Sequence, residues 1–149
     1  MRTDTYKLAN VAYAGRYVSL VNGNIVGHSE EPGIMIEWFP MFHEGGLATF
    51  QAVRNDEVCD EYIYFDTNTR SLTCSDNPWL FLVREGNTTS SSICFSTTTS
   101  LNWLPFSIEI EGTDDWAWTL TSPDENSPIK TQRNTGASTE QLWKFEKLI

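Results

Sequence analysis

The chain has 149 residues, with ten Lys and Arg against twenty Asp and Glu, for a formal net charge of −10. That length suits one domain, and 40% hydrophobic with 13% aromatic residues is enough to build a core rather than a disordered chain. The acidity excludes nucleic-acid and anionic-membrane partners, because both are held by a basic surface that releases counterions and none is present.

Along the chain, short alternating runs predict strands at Tyr6–Val11, Arg16–Val21, Ile34–Met41, Leu47–Val53, Glu61–Phe65, Trp79–Val83, Phe106–Ile110, Trp116–Thr121 and Leu142–Ile149. Turn formers separate them: Ala14-Gly15, Asn22-Gly23, Glu31-Pro32-Gly33, Glu44-Gly45-Gly46, Asp66-Thr67-Asn68, Asp76-Asn77-Pro78, Ser122-Pro123-Asp124 and Asn134-Thr135-Gly136. No segment longer than about eight residues carries helical spacing, so the class is all-β. No stretch approaches the roughly 18 apolar residues of a membrane helix. No apolar leader follows Met1, which points to a cytoplasmic protein. Cys59, Cys74 and Cys94 are odd in number and form no Cys-x-x-Cys, so reduced, buried thiols are expected and neither a metal nor a cofactor.

Three stretches share one pattern of strand, turn, short strand and tryptophan-centred strand. The first runs from Tyr17 through Asn22-Gly23 to Ile25–His28 and closes on Trp38. The second runs from Tyr62 through Asp66–Arg70 to Leu72–Ser75 and closes on Trp79. The third runs from Trp118 through Pro123–Pro128 to Ile129–Gln132 and closes on Trp143. The tryptophans stand 41 and then 64 residues apart. The excess in the second interval falls in a Ser/Thr-rich insertion at 87–103, with a possible extra strand at Ile93–Ser96. Three units of about 40–45 residues with four strands each describe a β-trefoil, a six-stranded barrel with a hairpin cap whose floor is filled by the repeated aromatics. The single domain 1–149 divides into repeats at approximately 5–46, 47–86 and 104–149.

The closing Gln141-Leu142-Trp143-Lys144-Phe145-Glu146 resembles the Gln-x-Trp strand of ricin-B-type trefoils. The opening Tyr6–Tyr13 and the stretch Thr119–Ile129 are similar to small cytoplasmic mushroom β-trefoil proteins. That group contains sugar-binding lectins and mycospin-type inhibitors of trypsin-like serine proteases. A more distant branch, the mycocypins, inhibits cysteine proteases. The resemblance therefore implies a fungal defence protein and leaves two binding functions open.

Catalysis is not expected. His28 and His43 lie in no nucleophile motif and read as surface histidines. Neither a Gly-x-Ser-x-Gly nor a phosphate loop occurs, and the adjacent acids Glu30-Glu31, Asp60-Glu61 and Asp114-Asp115 point apart on a strand or turn. For a lectin of the resembled type, a carboxylate late in the second strand of a repeat accepts vicinal hydroxyls, and an aromatic stacks on the sugar. The carboxylate position reads Ser19, Tyr64 or Phe65, and Thr119, and the glutamine survives only as Gln141, with Ile36 in its place in the first repeat. A different sugar site could be built from Tyr64, Asn77 and Trp79, the alternative being that these aromatics fill the barrel floor.

The leading expectation is accordingly an inhibitor of trypsin-like serine proteases. It would present Arg70 between Thr69 and Ser71, with Asp66, Thr67 and Asn68 bracing an extended loop. Thr69-Arg70-Ser71 also resembles the reactive-site sequence of unrelated trypsin inhibitors. Lys130 and Arg133 are the next basic candidates, and Asn68 or Asn24 at a hairpin tip would suit an asparagine-specific protease of the mycocypin kind. The charge of −10 would speed encounter with a basic protease without conferring specificity.

Overall fold

The computed structural model describes residues 4–85, 105–112, 115–135 and 138–147; the 87–103 insertion and Cys94 lie outside them. The described residues form thirteen strands: β1 Tyr6–Asn10, β2 Tyr17–Val21, β3 Asn24–His28, β4 Glu37–Phe42, β5 Leu47–Arg54, β6 Glu57–Asp66, β7 Ser71–Ser75, β8 Phe81–Glu85, β9 Pro105–Ile110, β10 Trp116–Thr119, β11 Ser127–Pro128, β12 Lys130–Arg133 and β13 Trp143–Lys147. The only helical segments among them are short 3-10 turns at Glu44–Gly46 and Thr139–Gln141. No helix of the described residues is long and apolar enough to cross a membrane.

The sheet closes on itself. β1 pairs β4, β4 pairs β5, β5 pairs β8, β8 pairs β9, β9 pairs β13, and β13 returns to β1, all antiparallel. Three hairpins, β2–β3, β6–β7 and β10–β12, join one another through Asn24 opposite Thr73 and Lys130 opposite Ser71. Two hairpins turn in two residues. Asn22 (φ 52°) and Gly23 (φ 79°) join β2 to β3, and Asn55 (φ 51°) and Asp56 (φ 68°) join β5 to β6. Positive φ at both central residues matches the right-handed twist of the strands, and Asn and Asp tolerate it better than other side chains. The second of these turns extends β6 four residues ahead of the predicted Glu61.

Inward-pointing residues of the closed strands, joined by Trp118 of the β10–β12 hairpin, make one aromatic core. Trp38, Trp118, Trp143, Phe50, Phe81, Phe106 and Phe145 are all fully buried. Phe50 lies 5.2 Å from Trp118, Phe81 lies 5.0 Å from Trp118, and Phe106 lies 5.4 Å from Phe145. Trp38 and Trp143 each stand at the beginning of a strand and hydrogen-bond through the indole N–H to a backbone carbonyl, Val18 at 2.9 Å and Trp118 at 3.2 Å. In β8 the corresponding place is taken by Phe81, not by the expected Trp79. Trp79 lies ahead of the strand and is only half-buried, packed on the outside of the core.

Gly27 of β3 marks a close approach. A Cβ there would sit 2.9 Å from both terminal methyls of the fully buried Leu120. Gly27→Ala should therefore cost about 1–2 kcal/mol by overpacking. In urea unfolding this would appear as a lower midpoint at unchanged slope.

Candidate functional site

The β6–β7 hairpin sets aromatic, acidic and hydroxyl side chains close together. Antiparallel pairing sets Tyr64 opposite Thr73 and Asp66 opposite Ser71. Because Phe81 fills the core position, Trp79 is left to cover the hairpin's outer face. Its ring stands 4.9 Å from Tyr64 at 82° and 5.8 Å from Phe65 at 67°. The near-perpendicular Tyr64–Trp79 pair forms the corner of a hollow of about 180 Å³, bounded also by Phe65, Asp66, Thr67 and Thr73. Aromatic walls beside one carboxylate and two hydroxyls combine an apolar platform with convergent hydrogen-bonding groups.

Asp66 is the residue that sequence reasoning misses as a binding group. The strand pattern seeks the acid at Tyr64 or Phe65, but β6 runs on to Asp66, which lines the hollow. Its Oδ1 accepts the Asn68 N–H at 2.9 Å, an Asx turn that fixes the carboxylate's direction. The sign available in the sequence is an aspartate opening a turn directly after an aromatic strand. Ser19 and Thr119, which hold the matching positions of the other two units, are buried, with their hydroxyls donated to the carbonyls of Tyr17 and Ala117 at 2.9 Å.

Of the three residues expected at a sugar site, Tyr64 and Trp79 are brought together and Asn77 is not. Asn77 is exposed in the bend before Trp79, where its backbone N–H donates to Ser75 Oγ at 3.1 Å. Gln141, the closing glutamine of the third stretch, is not a surface partner either. It is buried, and its amide donates to Thr119 Oγ1 and to the carbonyls of Gln132 and Arg133.

The loop expected to be extended is not. Arg70 adopts φ 57°, a left-handed conformation, with its N–H on the Asp66 carbonyl at 2.8 Å. Thr131 locks it there, donating its N–H (2.9 Å) and its hydroxyl (3.0 Å) to the Arg70 carbonyl. Thr69 and Ser71 hydrogen-bond to each other at 2.7 Å, closing the tip as a compact turn. The Arg70 guanidinium folds back over the Trp116 ring, 4.5 Å from its centroid. Lys130 and Arg133 are exposed on β12, opposite Thr119 and Trp116 respectively, rather than at a loop apex.

A second cluster joins His28, Glu31 and Glu125, whose potential ligand atoms lie within 4.8 Å of one another. His28 is buried, not a surface histidine, and lies 3.5 Å from Glu31 and 3.8 Å from Glu125. Ser29 lies between both carboxylates, its Oγ 2.9 Å from Glu31 and 2.6 Å from Glu125 and its N–H donating to Glu125 Oε1 at 2.9 Å, and its bonds to Glu125 hold that carboxyl below the ordinary range. Arg16 adds a 2.6 Å bond to the Pro123 carbonyl, so residues 122–127 are fastened to the end of β3. Cys59 and Cys74 are free and half-buried; burial and the nearby Glu61 raise the Cys74 thiol's pKa. A larger hollow of about 310 Å³ between residues 33–37 and 53–55 has no aromatic wall.

The fold and this surface define an all-β protein with a closed barrel and a recessed aromatic hollow on its outer face. No family model and no curated protein sequence matches the chain. Solved structures do. The agglutinin of Rhizoctonia solani is similar at 19% identity, with a TM-score of 0.71 over 99% of this chain and 97% of its own. The Macrolepiota procera ricin B-like lectin, solved in complex with lactose, is similar at 14% identity, with a TM-score of 0.71 over 99% and 98%. A designed 3-fold symmetric protein, ThreeFoil, is similar at 10% identity, with a TM-score of 0.67 over 97% and 99%. The chain has the β-trefoil fold of these structures.

Proposed function

We propose that the protein is a carbohydrate-binding lectin, without catalytic activity, whose sugar site is the hollow between Tyr64, Asp66 and Trp79. The observation that carries this reading is the displacement of Trp79 from the core by Phe81, which leaves a tryptophan edge-on to a tyrosine beside a carboxylate. A sugar ring offers an apolar face for Trp79 and hydroxyls that Asp66, Thr67 and Thr73 can bind. In this reading the chain is one domain of three four-stranded units, at about 5–46, 47–86 and 104–149. Six strands form the barrel and the hairpins form its cap, an arrangement that agrees with the pairings described above. The inhibitor reading loses its main support, because a protease cleft binds an extended segment and Arg70 is left-handed, with its side chain already placed on Trp116.

The test is a glycan array probed with wild type, Trp79→Ala and Asp66→Asn. The amide of the second variant would keep the bond to the Asn68 N–H while removing the charged acceptor, so the turn survives. Wild type should bind at least one neutral glycan, and each variant should weaken that binding by roughly tenfold or more. Unaltered binding by both variants would move the site elsewhere, and a trypsin titration of wild type that gave stoichiometric inhibition would restore the protease reading.

A further inference from the structure

Phe65 and Thr67 form one side of the hollow at Trp79. The same two residues border a second hollow of about 190 Å³, completed by Arg70, Trp116 and Thr131. The two hollows are thus neighbours on either side of Phe65 and Thr67, one acidic and aromatic, the other basic and aromatic. We infer that the second hollow is a subsite for a carboxylate-bearing sugar, so that the preferred ligand is an acidic oligosaccharide laid across both hollows. This inference rests on the lectin reading of the first hollow.

Three features carry it. The guanidinium of Arg70 lies on the Trp116 ring, a placement that engages its face and leaves its N–H edge able to meet a planar carboxylate with two parallel hydrogen bonds. The residue's backbone is held on both sides by the Asp66 carbonyl and by Thr131, so little ordering is needed when a ligand arrives. No carboxylate of the described residues forms an ion pair with Arg70, whereas Lys7, Arg16, Arg54 and Arg84 each meet a glutamate. Arg133 stands directly opposite Trp116 in the β10–β12 pairing.

In a chain of net charge −10, Arg70 sets an exposed cation beside the Trp116 indole. An anionic sugar is repelled elsewhere and accepted here, which fixes the direction in which an oligosaccharide lies. Asp66 at the first hollow disfavours the reverse orientation, because it would face the sugar's carboxylate.

Matched glycan pairs test this: lactose against 3′-sialyllactose, and neutral oligosaccharides against counterparts ending in a uronic acid, with sulfated versions alongside. Wild type should bind the carboxylate-bearing member roughly tenfold tighter than its neutral partner, with the preference shrinking as salt is raised. Arg70→Gln should abolish the preference and spare neutral binding, whereas Trp79→Ala should weaken both members. Neutral binding with no acidic preference, or a preference that survives Arg70→Gln, would overturn the subsite and leave the lectin reading standing. An Arg70-dependent preference for sulfated over carboxylated members would overturn the carboxylate assignment. Failure of wild type to bind any glycan would overturn both readings.

Discussion

Trp118→Ala should lower the unfolding free energy by about 3–5 kcal/mol, the largest effect expected of any single change in the described core. Trp118 is fully buried and meets Phe50 at 5.2 Å, Phe81 at 5.0 Å and Trp143 at 6.4 Å, so its removal opens a cavity lined by three other rings. A finer comparison separates packing from polarity. The indole N–H of Trp118 is buried without an acceptor, whereas those of Trp38 and Trp143 reach carbonyls. Phenylalanine in place of Trp118 loses volume but also removes an orphaned donor, two changes of opposite sign. In place of Trp38 it loses volume and strips the Val18 carbonyl of a partner. Trp38→Phe should thus be more destabilising than Trp118→Phe by about 1–2 kcal/mol. Urea unfolding of the two variants measures the difference directly. Equal losses would mean that Trp118 finds a partner in solution.

How far the residues themselves disclose this molecule depends on which interactions decide each position. The strands are legible because alternation and turn chemistry are local. Asn22-Gly23 announces its hairpin, and the predicted Phe106–Ile110 differs from β9 by one residue. Trp79 departs from its expected place because alternation does not carry through the bend at Asp76-Asn77-Pro78. Strand β8 starts only at Phe81, so Trp79, two residues earlier and outside the strand, is not held by the pairing that sends Phe81 inward. Arg70 departs for a longer-range reason. Its left-handed backbone is held by Thr131, 61 residues away, and its side chain rests on Trp116, so no local propensity could announce either. Asp66 is within reach of the sequence, since one more residue of strand brings it opposite Ser71 and into the hollow.

The same contrast between local and distant partners governs the closing glutamine. Gln141→Leu should cost about 2–3 kcal/mol, second only to the loss of a core tryptophan, although leucine has nearly the same volume. The amide donates to Arg133 O at 2.9 Å, Thr119 Oγ1 at 3.2 Å and Gln132 O at 3.3 Å, and its oxygen accepts the Thr135 N–H at 3.2 Å. Those groups converge on a side chain that is 3% exposed, so leucine would leave them facing hydrocarbon. Ile36, which the sequence sets in the matching place of the first stretch, is equally buried, showing that the cost at Gln141 comes from the groups around it rather than from burial itself. The loss should be local as well as global, with the Thr135 amide exchanging hydrogen faster in Gln141→Leu than in wild type. Because Gln141 also holds the Arg133 carbonyl beside Trp116, this variant should blunt the acidic-glycan preference while sparing neutral binding at Trp79. An unchanged stability would show that water or a shifted backbone satisfies these carbonyls as well as the amide does.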